Sequence, residues 1–241
     1  MDELTEDALL GGRVHLVQPR RGFRAAIDPV LLAAFVPARP GQRVLELGCG
    51  SGAAFLCLAA RVPGLEIEAV ERDPALAALA EGNAARNGVV ARLHAADLRA
   101  LPALAPVAHA FANPPYWPGG TASPDAARRQ AAHEDAGLAD WARVMAGAVW
   151  PGGTVTLVLP AARWDEAAAT LRAAGIGSLR LLPLWPREGR AARRILVQGR
   201  RGGRGPGELL PGLALHTGEG YTPAAEQVLR HGAALRSVGS D

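Results

Sequence analysis

Lysine is absent from this 241-residue chain, and each of its 26 basic residues is an arginine. The bias matches the arginine, alanine, glycine and proline usage of a GC-rich genome. It does not by itself mark a nucleic-acid protein, although the planar guanidinium fork suits phosphates and bases. Cysteine is nearly absent too: Cys49 and Cys57 are the only two. That is too few for a disulfide framework or a four-cysteine metal site, and it points to a reducing compartment. No apolar run approaches the ~20 residues that a membrane helix needs. The first seven residues hold four acids, Asp2, Glu3, Glu6 and Asp7, where a secretory signal carries Lys or Arg. The expectation is a soluble, cytoplasmic chain with no metal and no membrane partner.

What is present is ordinary for a folded protein. The apolar fraction is 49%, the charged fraction 20% and the net charge +3, which excludes wholesale disorder. The 29 glycines and 19 prolines follow no triplet period, which excludes collagen and predicts many turns. Apolar runs of strand type fall at 42–47, 66–71 and 154–159 and near 179–184 and 195–198, with weaker ones at 91–95 and 108–112. Helical spacing falls between them, at 53–62, 74–87, 138–149 and 163–174. Strand and helix alternating in this way means βαβ units and a mainly parallel, doubly wound sheet. The loop between the last two strands has no helical pattern, so they are expected to pair as an antiparallel hairpin. One α/β domain with an N-terminal helical extension is the economical reading. Trp141, Trp150, Trp164 and Trp185 fall on helix or strand positions and are expected in the core.

Glu46-Leu-Gly48-Cys49-Gly50-Ser-Gly52 stands where the first strand turns into the first helix. Glycines there allow a sharp turn and close approach of backbone to a ligand. The next strand ends in Glu71-Arg72-Asp73, where a carboxylate can accept both ribose hydroxyls. Gly48-x-Gly50-x-x-Ala53 also fits a loosened dinucleotide fingerprint, so NAD competes at this point.

The Glu-x-Gly-x-Gly-x-Gly form resembles motif I of the class I methyltransferases that use S-adenosylmethionine. That resemblance implies a Rossmann-like fold with a seven-stranded sheet. It implies that Glu46, Gly48, Cys49, Gly50 and Gly52 surround the amino-acid part of the cofactor. It further implies that Glu71, with Arg72 beside it, holds the ribose, and that Asp97 after the third strand lies beside the adenine. An acid before the first glycine suits an ammonium better than a diphosphate. After the fourth strand comes Asn113-Pro114-Pro115-Tyr116, at the carboxyl edge where open α/β sheets bind ligands. It resembles the motif shared by adenine-N6, cytosine-N4 and glutamine-N5 methyltransferases, with guanine-N2 enzymes using a close variant. The chemistry fits a planar NH2, whose lone pair is delocalised. The Asn113 side-chain oxygen and the Pro114 carbonyl can each accept one N–H and fix the nitrogen's orientation. The paired prolines lock the acceptors, and Tyr116 offers a ring on which a flipped base can stack. Asn113 also belongs among the cofactor-binding candidates.

The segment from Gln18 to Ala33, with Arg20, Arg21, Phe23, Arg24 and Asp28, resembles the N-terminal segment of the bacterial tRNA(Val) adenine-N6 methyltransferase family. Ala131-Ala-His133-Glu134 and Leu215-His-Thr-Gly-Glu-Gly-Tyr221-Thr-Pro resemble later parts of the same family. Residues 1–36 then read as an extension packed on the cofactor side and 37–241 as the methyltransferase domain, a single domain overall. Trp117-Pro-Gly-Gly after the tetrapeptide, and Pro29 after Asp28, depart from the family's pattern. The resemblance implies N6-methylation of an adenine in structured RNA, most directly tRNA. The alternatives are a glutamine-N5 methyltransferase of release-factor type, a guanine-N2 RNA methyltransferase, and a non-catalytic cofactor-binding RNA protein. Glutamine-N5 enzymes place a helical domain before motif I, where about 40 residues stand here. Two arginine clusters, 13–24 and 187–204 (Arg193, Arg194, Arg200 and Arg201 among them), are candidate phosphate contacts beside the active-site mouth.

Overall fold

The computed structural model describes residues 3–20, 25–115 and 136–235. A hairpin comes first: β1 (Leu4–Leu9) pairs antiparallel with β2 (Val14–Pro19) as a separate two-stranded sheet. Next come α1 (Asp28–Phe35), β3 (Arg43–Leu47), α2 (Ala53–Arg61), β4 (Glu66–Glu71), α3 (Pro74–Arg86), β5 (Ala91–Ala95) and β6 (Val107–Ala112). The chain continues as α4 (Leu138–Ala148), β7 (Val149–Pro160), α5 (Trp164–Ala173), β8 (Ile176–Arg187) and β9 (Arg194–Arg201). It closes with β10 (Glu208–Leu209), β11 (Leu213–Thr217), β12 (Gly220–Tyr221) and α6 (Pro223–Leu229).

The main sheet runs β12-β11-β8-β9-β7-β6-β3-β4-β5, with β10 also on β8. Strands β5, β4, β3, β6 and β7 are parallel neighbours, and β9 lies antiparallel between β7 and β8. The expected parallel sheet and antiparallel pair are both present, and β10, β11 and β12 add to the seven strands anticipated. Central strands are apolar on both sides because helices cover both faces. Val44, Ile67, Phe111 and Val158 pack under α1, α2 and α3, while Leu45, Leu47, Leu157 and Leu159 pack under α4 and α5. Among the described residues, no helix is long and apolar enough to cross a membrane.

Two expectations need correction. The N-terminal extension is not wholly helical: β1 and β2 precede α1. The buried stripe of β2 is Val14, Leu16 and Gln18, a period of two that makes a strand. Of the four tryptophans expected in the core, Trp141 is buried and Trp185 half-buried, but Trp150 and Trp164 are 42% and 56% exposed.

The hairpin is held by α3 through side-chain amides that imitate a neighbouring strand. Asn83 accepts from the Val17 N–H at 2.9 Å and donates to the Val17 carbonyl at 2.8 Å. One turn on, Asn87 does the same for His15. Asn83 is 1% exposed and donates a second bond, 2.9 Å long, to the carbonyl of Ser51 in the glycine loop. One amide therefore ties extension, helix and loop together. Asn83→Ala leaves three backbone groups without their partner, and a buried unmet group costs about 1–3 kcal/mol. Denaturant unfolding should show a loss of about 2–4 kcal/mol; a loss under 1 kcal/mol would mean that water replaces the amide freely.

Candidate active site

The strand order reverses between β3 and β6, and ligands of open α/β sheets bind outside the carboxyl ends of the strands at such a point. Leu47 and Ala112, the last residues of those strands, are register partners. The glycine loop and Asn113 therefore leave the sheet side by side. They line one pocket with Ala25 and Pro29 from the N-terminal segment, Glu46 below, and Ala53, Ala54 and Leu76 at the helices.

Gly48, Gly50 and Gly52 all have positive φ, at 65°, 55° and 96°, where a side chain is strained. Their surroundings differ. A Cβ on Gly48 would lie 2.6 Å from the Trp141 ring, and one on Gly52 would lie 2.7 Å from Phe55. Around Gly50 a Cβ would meet nothing within 4 Å. Packing demands the outer glycines, while the middle one presents bare backbone to the pocket. Cys49 is buried beside it, and burial pushes its thiol well above the ordinary range, so it is a packing group rather than a nucleophile.

Two carboxylates anchor the loop. Glu71 accepts from Gly50 N–H at 2.8 Å through one oxygen and from Asp73 N–H at 2.9 Å through the other. Each oxygen keeps a second lone pair for a ligand. Glu46 is 2% exposed and accepts from Phe55 N–H, 2.8 Å away, in the first turn of α2. Burial pushes its pKa well up, against the Phe55 bond, and the charge of Glu71 adds to the rise. A cation in the pocket would favour its ionised form. Arg72 is exposed. Asp97 binds Arg99 through its backbone N–H and both sides of its guanidinium, and Arg99 holds its carboxyl down at about 2.

Asn113 follows β6 with its Oδ1 buried and without a hydrogen-bond partner among the described residues. Pro114 is buried behind it and Pro115 is exposed. A buried, unmet carbonyl oxygen that lines a pocket can accept from a donor arriving with a ligand. Tyr116, His133, Glu134, Arg21, Phe23 and Arg24 lie outside the described residues. Among the described residues, no cluster of three or more His, Cys, Asp or Glu is placed to hold a metal.

The candidate phosphate contacts do not form one track. Arg20 pairs with Glu3 at 2.8 Å, and Arg194 pairs with Asp28 at 3.0 Å, joining β9 to the start of α1. Arg193 and Arg194 lie at the edge where β7 ends, since Arg194 faces Pro160. Arg200 faces Thr154, six residues back along β7 from Pro160, and donates to the Gly152 carbonyl, while Arg201 donates to that of Val149. An antiparallel strand has carried the second half of the cluster away from the site. Two contributors escape the sequence reading: Asn83, which holds the loop, and Trp141, which packs on Gly48. Each resembles an ordinary helix residue until the tertiary contact is seen.

A family profile described as "Methyltransferase small domain" matches residues 26–140. A tRNA1(Val) (adenine(37)-N6)-methyltransferase of Aeromonas hydrophila is 31% identical over 212 residues, covering 86% of this chain and 88% of its own. A release factor glutamine methyltransferase of Bordetella pertussis is 36% identical over 190 residues, covering 72% and 64%. The crystal structure of a predicted O-methyltransferase from Agrobacterium tumefaciens aligns with TM-score 0.71 at 26% identity, covering 88% of this chain and all of its own.

The buried Glu46 generates a prediction. Its raised pKa means that the folded state keeps a proton which the unfolded chain has already lost. That contribution is present below the unfolded carboxylate pKa and is lost as pH rises through the folded one. Glu46→Gln keeps the bond from Phe55 and removes the titration. In ligand-free protein its melting temperature should exceed the wild type's by about 2 °C or more at pH 8, and the gap should close toward pH 4. A gap independent of pH would show that folding does not raise the Glu46 pKa.

Proposed function

The chain belongs to the class I, S-adenosylmethionine-dependent N-methyltransferase family that includes the tRNA1(Val) adenine-N6 enzymes, and we propose that its acceptor is the N6 amine of an adenine in structured RNA, most directly tRNA. The observation that carries this reading is Asn113: a buried amide oxygen without a partner among the described residues, beside a loop whose middle glycine is bare backbone. A bound S-adenosylmethionine supplies a methyl group on a sulfonium, which is already a good leaving group.

The chain's own residues do the rest. The backbone at Gly50, open on its pocket side, leaves room for the cofactor, and Glu71 offers its remaining lone pairs to the ribose hydroxyls. Glu46 lines the pocket and would meet the ammonium of the amino-acid part, which would favour its ionised form. Arg72 would flank the ribose, and Asp97, whose carboxyl Arg99 holds low, would stand by the adenine. The Asn113 oxygen and the Pro114 carbonyl each accept one N–H of the acceptor amine. That orients the nitrogen's lone pair toward the cofactor and needs no strong base, since the proton can leave late. An oxygen acceptor has no second hydrogen for Pro114, which favours nitrogen over the O-methylation for which the Agrobacterium protein is named. NAD is disfavoured because two carboxylates, Glu46 and Glu71, would meet a diphosphate.

The glutamine-N5 reading keeps the same amine chemistry, and the Bordetella relative supports it as the second possibility. Labelled cofactor separates the two. With bulk RNA from a strain lacking this chain, tritium should enter tRNA and be recovered as N6-methyladenosine after digestion. Label in a release factor instead would replace the RNA reading.

Two variants test the roles. Asn113→Ala should lower kcat about 10²-fold or more while cofactor affinity barely moves; near-normal turnover would make the tetrapeptide structural. Glu71→Ala should weaken S-adenosylmethionine binding by about 1–3 kcal/mol in calorimetry. Unchanged affinity in a folded variant would remove Glu71 from the ribose site.

A further inference from the structure

Trp164 opens α5 with 56% of its surface exposed, although tryptophan is a side chain that proteins largely bury. Its position is specific. It follows the end of β7, and four residues before it Pro160 pairs with Arg194, while the Ala161 N–H donates to the Arg193 carbonyl at 3.0 Å. The start of α5 and the turn between β8 and β9 therefore share one edge of the sheet. Asn113 leaves β6 at the same edge, since Ala112 faces Leu157 of β7. At a strand spacing of about 4.8 Å, β9 lies roughly 10 Å across the sheet from β6.

The turn carries unengaged positive charge. Arg190 and Arg193 are exposed, and neither side chain has a hydrogen bond or ion pair among the described residues. The arginines around them are committed: Arg163 to Glu166 at 2.6 and 2.7 Å, Arg194 to Asp28, and Arg187 in part to the Gly218 carbonyl. Glu188 is the one acid within the turn.

We propose that Trp164 is a stacking platform for an unpaired base of the RNA, one or two nucleotides from the base that is methylated, and that Arg190 and Arg193 neutralise the phosphates around it. The proposal rests on the RNA reading above. An indole stacks on any base, so the platform positions the strand while the Asn113 pocket selects the amine. Arg200 and Arg201 take no part: their guanidiniums cap the Gly152 and Val149 carbonyls, and seven residues of extended strand set Arg201 about 24 Å from Arg194.

The test is binding of a pool of unmodified tRNA transcripts to the full chain over a salt series. Arg190→Gln with Arg193→Gln should reduce the slope of log affinity against log salt by about 1–2. Arg200→Gln with Arg201→Gln should leave the slope alone. Trp164→Ala should weaken binding about tenfold at unchanged slope, raise KM without lowering kcat, and be largely rescued by Trp164→Phe. S-adenosylmethionine affinity should be the same in all. If Trp164→Ala or the Arg190/Arg193 pair binds as the wild type does, while the wild type methylates the pool, the platform is wrong and the RNA reading stands. If the wild type neither binds nor methylates the pool, the RNA reading falls and the platform falls with it.

Discussion

The parallel pairing of β3 with β6 is the constraint on which the site depends. Both strands end at the same level, Leu47 against Ala112, so the chain turns into the glycine loop on one side and into Asn113-Pro114 on the other. A slip of two residues in that register would separate them by about 6.6 Å, which is more than two hydrogen-bond lengths. Both strands are buried on both faces, Val44 and Phe111 toward one helical layer, Leu45 and Ala110 toward the other. A slip would move all of these at once. The precision of the site is inherited from the core.

The electrostatics of the pocket follow from the same arrangement. Glu46 is carried on β3 to the N-terminus of α2, where a backbone N–H meets it, and Glu71 is carried on β4 to the N–H of Gly50. Bare helix N-termini in this position suit phosphate. Here Glu46 takes the Phe55 N–H of the first turn and Glu71 the Gly50 N–H of the loop, and the two carboxylates disfavour an anion in the pocket. The cost of burying Glu46 falls on the ligand-free protein and is relieved when a cation enters.

Legibility in the sequence follows burial. β3 and β6, which flank the site, are short apolar runs followed by Gly48 and Asn113, and the expected bounds of β3, β4, β5 and β6 fall within a residue of those observed, while β7 starts earlier. The N-terminal hairpin is hidden because its inward stripe includes Gln18, held by Asp7 and the Ala25 N–H, and because acids line β1. Asn83 carries no local signal, since its three bonds reach residues 32 and 66 positions away. The arginine cluster misleads for a geometric reason. Residues close in sequence are distant in space once an eight-residue strand runs between them.

Chemistry and target selection occupy different parts of this sheet. On the reading proposed above, orienting a planar amine needs only the β3–β6 crevice, and relatives named for adenine and for glutamine methylation both match this chain. Everything that distinguishes one amine's carrier from another must lie beyond that crevice. Five strands, β7, β9, β8, β11 and β12, continue the sheet on the β6 side, a width of about 24 Å. On this edge stand Trp164, the arginine-bearing turn and the stacked rings of His216 and Tyr221, 4.8 Å apart. A surface that broad and that basic matches an extended polyanion better than a single glutamine side chain. On the RNA reading proposed above, the widened half of the sheet is where RNA would be chosen over protein, while the β3–β6 crevice would keep the cofactor.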